Sequence, residues 1–288
     1  MNGTSDSPLR VAALLLAVLL AACAPLPQAP PKVPVPPTTV PPTRIERLVE
    51  LLEQEWVRWG RGVVVTPPGD TACLIHPDGY CDPIADGCGQ EKTAALCPVV
   101  NEYWAAISYR QIRHDCRRTD VCEVQWPESE AEPPQRTPPW SAAFVSAMMQ
   151  RAGFSSREFR PAPAHADYVV AARDGTMSAY AVVPTPARAA PGDLICAVRG
   201  RSALTPADIA LITDGAFATP MHCDIVVKVD LAARRLEAIG GNVQQTVARS
   251  IVALDSDGRV SFDIDPQRPW LLVLKARRAA APQAADAR

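Results

Sequence analysis

Two hydrophobic periods divide this chain. Between residues 43 and 60, Ile45, Leu48, Val49, Leu52, Trp56 and Trp59 recur every three or four positions and predict an amphipathic helix. Thr43-Arg-Ile-Glu46 reads as a capping box that opens it, and Gly60 as its end. Helical spacing makes Trp56 and Trp59 core residues, a sugar-stacking platform being the other use of such a pair. A short strand at 63–65 and a helix at 99–109, carrying Tyr103, Trp104 and Ile107, follow. Residues 137–154 predict a further helix with both ends marked. Thr137 is its N-cap, Pro138 and Pro139 occupy the first turn, and Gly153 takes the left-handed closing position. Phe144, Val145, Met148 and Ala152 give it one buried face. A last helix covers about 162–173, closed by Asp174-Gly175.

Beyond residue 175 the period shortens. Segments 178–183, 193–198, 222–230, 235–239, 247–254 and 270–275 are rich in Val, Ile and Leu and bounded by turn residues, so they predict strands. Helices first and an antiparallel sheet afterwards define an α+β class.

Composition changes this picture mainly at the N-terminus. The 288 residues carry a formal charge of −2, which gives no electrostatic case for nucleic acid or an anionic membrane surface. Many of the 30 prolines are concentrated in residues 24–43, a tether that would reach on the order of 60 Å as polyproline II. Ahead of it, Arg10 and the apolar run Val11 to Leu20 read as a secretory leader too short to span a bilayer. Leu20-Ala-Ala-Cys23 looks like a bacterial lipobox, which implies cleavage before Cys23 and acylation there. Ala24 after the cysteine implies the outer membrane, facing the periplasm. The competing reading is a plain signal peptide with an incidental cysteine. The expected organisation is signal peptide 1–22, lipidated cysteine and tether 23–43, one domain 44–276, and a disordered tail 277–288.

Of nine cysteines, six fall within residues 70–122: Cys73, Cys81, Cys88, Cys97, Cys116 and Cys122. With Cys196 and Cys223 they make an even number in an exported chain, so a disulfide-stapled insertion is expected. Zinc is the alternative, but there is no Cys-x-x-Cys pair, and neither a metal nor another cofactor is called for. Connectivity among the six is not readable. Cys196 and Cys223 lie on strands expected to be neighbours and are paired with each other.

The candidate chemistry centres on Ser141, in the first turn of its helix, where free N–H groups and the helix dipole favour developing negative charge. Trp140-Ser-Ala-Ala-Phe-Val145 resembles the Asp-Cys-Ser-Gly-Phe-Val signature of NlpC-type cell-wall peptidases, with serine at the cysteine position. Pro191-Gly-Asp-Leu-Ile195 and His222-Cys-Asp-Ile-Val-Val227 resemble two strands of the same group, in the same order. Pro139-Trp-Ser-Ala-Ala-Phe144, Ala164-His-Ala-Asp-Tyr168, and the upstream Glu55-Trp56 and Tyr103-Trp104 are similar to the bacterial domain-of-unknown-function 2272 family, a branch of the NlpC/CHAP group. The resemblance spans roughly residues 44–275.

It implies a papain-like fold, N-terminal helices on an antiparallel sheet. It also implies Ser141 as nucleophile and His222 as base, with Asn242, in Ala238-Ile-Gly-Gly-Asn242, orienting the base. Asp224 is the alternative orienting group, since residues two apart on a strand share a face. Trp140, His165 and Asp224 are candidates for substrate binding, with His165 also a possible second base and Trp140 equally able simply to pack. A thiolate can pre-exist beside an imidazolium, whereas a serine must lose its proton during attack to a neutral, well-placed base. The implied function is hydrolysis of an amide bond in peptidoglycan stem peptides. A catalytically inactive peptidoglycan-binding or scaffold lipoprotein and an esterase or lipid acyltransferase are the competing classes. The expected partners are outer-membrane lipid, through acylated Cys23, and peptidoglycan.

Overall fold

The computed structural model describes residues 32–65, 73–75, 81–83, 90–107, 116, 139–199, 202–215, 218–265 and 268–278. The expected leader, Cys23, Cys88, Cys122 and residues 279–288 lie outside them, and Cys73 and Cys81 are described in backbone only. Chain entry is fixed by the end of the proline-rich run. The N–H groups of Val35, Thr38 and Val40 donate to the carbonyls of Gly175, Ser178 and Arg277.

Helix α1 spans Pro42–Arg58, two residues earlier than the capping box predicts. Pro41 is the N-cap and no side chain caps the helix, so Thr43 lies inside the first turn and the capping box is not formed. Proline at the first helical position needs no N–H partner and has its φ already set. Helix α2 (Cys97–Ala106) and α1 pack on α3 (Ser141–Arg151), and α4 (His165–Arg173) follows. Pro139 precedes α3 and does not form its first turn; Thr137 and Pro138 lie outside the described residues. Gly153, at φ +89°, closes the helix as expected, with the Phe154 N–H donating to the Met149 carbonyl. The predicted single buried face is too narrow a description. Every residue from Ser141 to Met149 is buried, so α3 is the central helix of the core.

Strands β1 (Val63–Val65), β2 (Cys73–Ile75), β3 (Cys81–Pro83), β4 (Tyr180–Pro184), β5 (Leu194–Val198), β6 (Met221–Asp230), β7 (Arg235–Val243), β8 (Thr246–Ala253) and β9 (Trp270–Ala276) form one sheet. Its order is β3-β2-β1-β8-β7-β6-β5-β9-β4. All pairings are antiparallel except β1 with β8. The class is α+β. Alternation along β6 splits the core: Cys223 and Ile225 join the cluster containing the helices, and Val226 joins a second cluster with Ile195, Ala238, Trp270 and Val273.

Glu55, Trp59 and Tyr103 satisfy one another between the helices, whereas the buried Trp104 indole nitrogen has no hydrogen-bond partner among the described residues. The Trp59 indole N–H donates to the Tyr103 hydroxyl at 2.9 Å, and that hydroxyl donates to Glu55 Oε2 at 2.9 Å. Arg151 donates to the other Glu55 oxygen at 2.7 Å, tying α1, α2 and α3 together. Trp59 is fully buried and Trp56 lies under the Arg249 guanidinium, so both serve packing. Cys196 and Cys223, at directly paired positions of β5 and β6, form a disulfide. The sequence leaves the partner of Cys97 open; it is Cys116.

Candidate active site

Ser141 and His165 are the first residues of α3 and α4. Ser141 Oγ lies 2.6 Å from His165 Nε2, so the contact joins two helix N-termini. The first intrahelical hydrogen bond of α3 runs from the Phe144 N–H to the Trp140 carbonyl, which leaves the N–H groups of Ser141, Ala142 and Ala143 as first-turn donors. His165 Nδ1 is hydrogen-bonded to the Tyr168 hydroxyl one turn on, the i, i+3 spacing that places two side chains together on a helix. With Nδ1–H donating to that oxygen, Nε2 is free to accept the serine proton. Burial holds the His165 pKa well below the ordinary imidazole value, and the neighbouring His222 and the Arg199 cation act in the same direction. Burial likewise raises Tyr168 well above its usual value, helped by Asp224 and Asp167. The pair is therefore a neutral imidazole beside a neutral phenol.

His222 stands next to His165, with ring centroids 5.3 Å apart in an edge-to-face arrangement. Its own nitrogens are committed elsewhere. Arg199 Nη2 donates to Nδ1 at 3.1 Å, which fixes the proton on Nε2, and Nε2 donates to Asp224 Oδ1 at 2.7 Å. Burial lowers the His222 pKa; Asp224 opposes that and Arg199 adds to it. Asp224 is fully buried, which alone would raise its pKa, yet His222, Arg268 and Ser250 together hold it below the usual carboxylate value. The Ser250 hydroxyl donates to Asp224 Oδ2 at 2.9 Å.

The glycine pair in β7 lets these two layers meet. A Cβ at Gly240 would overlap the Asp224 carboxylate, and a Cβ at Gly241 would come within 2.5 Å of Phe144 and 2.8 Å of Trp140. One glycine admits the carboxylate; the next admits α3. Asn242 follows at φ +54°, within the irregularity between Gly240 and Val243.

The predicted residues thus fall into two groups. Ser141 is joined to His165, and His222 is joined to Asp224; the orienting hydrogen bond to His222 comes from Asp224 in place of Asn242. Trp140 is fully buried, stacked on Trp59 and Tyr103 with its indole N–H on Glu91, so it anchors the start of α3. Arg199, Ser250 and Arg268 escaped the sequence reading, because a lone arginine or serine near a strand end carries no spacing signal. A cavity of about 430 Å³ opens beside His222.

Residues 91–276 match the family model described as "Uncharacterized protein conserved in bacteria (DUF2272)". The chain belongs to the DUF2272 family. The match covers α2 to β9 and so contains all of Ser141, His165, His222 and Asp224 in one DUF2272 domain. No curated protein and no solved structure matches the chain.

Proposed function

We propose that this DUF2272 protein is an envelope-anchored acyl hydrolase or transferase that acts on an amide bond of peptidoglycan stem peptides. The observation that carries this reading is the 2.6 Å contact between Ser141 Oγ and His165 Nε2 at the head of the central helix. His165 replaces His222 as the base. The Ser141 oxygen forms a bond to the amide carbon while its proton passes to His165 Nε2. The oxyanion is held by first-turn N–H groups near Ser141 and Ala142. His165 then returns the proton to the departing amine, and water or a second amine releases the acyl group by the reverse path. Tyr168 holds the His165 ring, and His222, itself held by Asp224, packs edge-to-face against it. A central helix beginning at the nucleophile and packed on an antiparallel sheet supports the papain-like comparison, and the order of the motifs supports the wall substrate. Anchoring through acylated Cys23 in the outer membrane, facing the periplasm, belongs to the same proposal.

One observation favours the competing class of non-catalytic wall binder. Ser141 and His165 are each only 4% exposed, whereas the cavity opens on His222. Incubating the full-length protein and Ser141→Ala with peptidoglycan fragments and with activated esters separates the two. Turnover lost in Ser141→Ala supports the hydrolase; equal turnover removes Ser141 from the mechanism, and no turnover on the whole panel supports the binder.

A further inference from the structure

The cavity beside His222 gathers two arginines and, among the described residues, no carboxylate in its lining. Its polar lining is Arg199, Ser202, His222, Gln244 and Arg268, and no acidic residue lines it among the described residues. Arg44, Arg151, Arg249 and Arg259 each pair with a carboxylate. Among the described residues, neither Arg199 nor Arg268 forms such an ion pair. Arg199 donates to His222, and Arg268 Nη1 donates to Ser250 Oγ at 2.9 Å. The adjacent carboxylate, Asp224, is buried and already holds His222 and Ser250. Each guanidinium has five N–H donors in a planar fork suited to two oxygens of one anion. Two cations therefore share a solvent-reaching cavity with donors to spare, and the one ionised carboxylate acting on both, Asp224, is buried behind them and makes no ion pair with either.

We propose that this cavity binds the free carboxylate of a short peptide, held between Arg199 and Arg268. The size of the cavity favours a short peptide over a bare inorganic ion. Val198, Val243 and Trp270 border the charged end but are themselves buried, and about 430 Å³ falls in the range of small-ligand sites. An anion on Arg199 would also offset the positive charge that this arginine places against His222 Nδ1, so binding reports on the His222 ring. The site stands on its own geometry and deepens the hydrolase reading only by giving its substrate a charged end.

The test is calorimetric titration of the full-length protein with N-acetyl-alanyl-alanine as free acid, with its C-terminal amide, and with inorganic phosphate. The free acid binds, the amide binds at least about tenfold more weakly, and added salt weakens the acid. Arg199→Gln and Arg268→Gln each lower its affinity by about tenfold or more, while Arg268→Lys keeps part of it. Arg199→Gln covers the case in which losing the Ser250 contact unfolds the Arg268 variant. Bound acid also raises the pH at which the His222 ring titrates by nuclear magnetic resonance. Equal binding of acid and amide, unchanged affinity in Arg199→Gln, or phosphate binding tighter than the acid overturns the assignment. Ser141→Ala binds the acid like the unaltered protein, so loss of binding and loss of turnover fail separately.

Discussion

The carboxylate of Asp224 occupies the space that any side chain at Gly240 would need, and it does so on the strand adjoining its own. Gly241 faces the other way, against Phe144 and Trp140. Alanine at the two positions therefore has separable effects. Gly240→Ala displaces Asp224 from His222, and Gly241→Ala pushes α3 away from β7; overpacking of this kind costs about 1–3 kcal/mol. Urea unfolding will show a loss for both. Only Gly240→Ala will change the His222 ring resonances at constant pH, because only there is the carboxylate moved. Identical spectra for the two variants would contradict the division of labour within the glycine pair.

The Ser141–His165–Tyr168 chain makes a second, kinetic prediction. If His165 is the base, His165→Ala lowers kcat by about 10²- to 10⁴-fold, the usual range for a positioned base. Tyr168→Phe removes the oxygen on Nδ1, so the imidazole loses its fixed tautomer and activity falls by less. His222→Gln leaves the Ser141 contact intact and lowers kcat less than His165→Ala does. Equal or greater loss in His222→Gln would return the role of base to His222.

Much of the framework was legible in the pattern of the chain. The strands from β4 to β9 lie within a few residues of the Val, Ile and Leu runs, since strands buried on both faces read as continuous apolar segments. The start of α3 was less legible. Paired prolines suggest a first turn at Pro138, but the helix waits until Ser141, where Trp140 is stacked on Trp59 and Tyr103. Ser141, His165, His222 and Asp224 were all candidates on motif grounds. Which histidine meets the serine was not readable, because it depends on how the N-terminus of α4 docks beside β6, a tertiary relation with no local signature. The arginines of the cavity were invisible for the same reason.

The Cys196–Cys223 bond joins the residues next to Ala197 and His222, so it fixes the β5–β6 pairing at the site itself. It closes a loop with a sequence separation of 27, for which cross-linking the unfolded chain contributes about 3.5 kcal/mol. The Cys196→Ala/Cys223→Ala double variant should lose roughly that much in urea unfolding. Because both sulfurs are buried, reductant added to the folded protein acts only as fast as it opens, so the loss appears in the variant at once and in the reduced protein slowly.

Acid should weaken this protein earlier than carboxylates alone would cause. His165 and His222 both titrate below their ordinary value in the folded state, chiefly because they are buried. In the unfolded chain they take up protons near pH 6.5. Between that pH and their lower folded values the unfolded state binds more protons, so stability rises with pH and is lost as pH falls. Their contribution is complete above about pH 7 and declines below about pH 6.5, by up to about 1.4 kcal/mol per pH unit for each histidine. Asp224, also depressed, acts with the same sign but only in the carboxylate range near pH 4 and lower. Urea midpoints measured from pH 8 to 5 should therefore be flat and then fall, and His165→Gln should remove its share of the slope. A midpoint that stays level down to pH 5 would contradict the lowered values of both imidazoles.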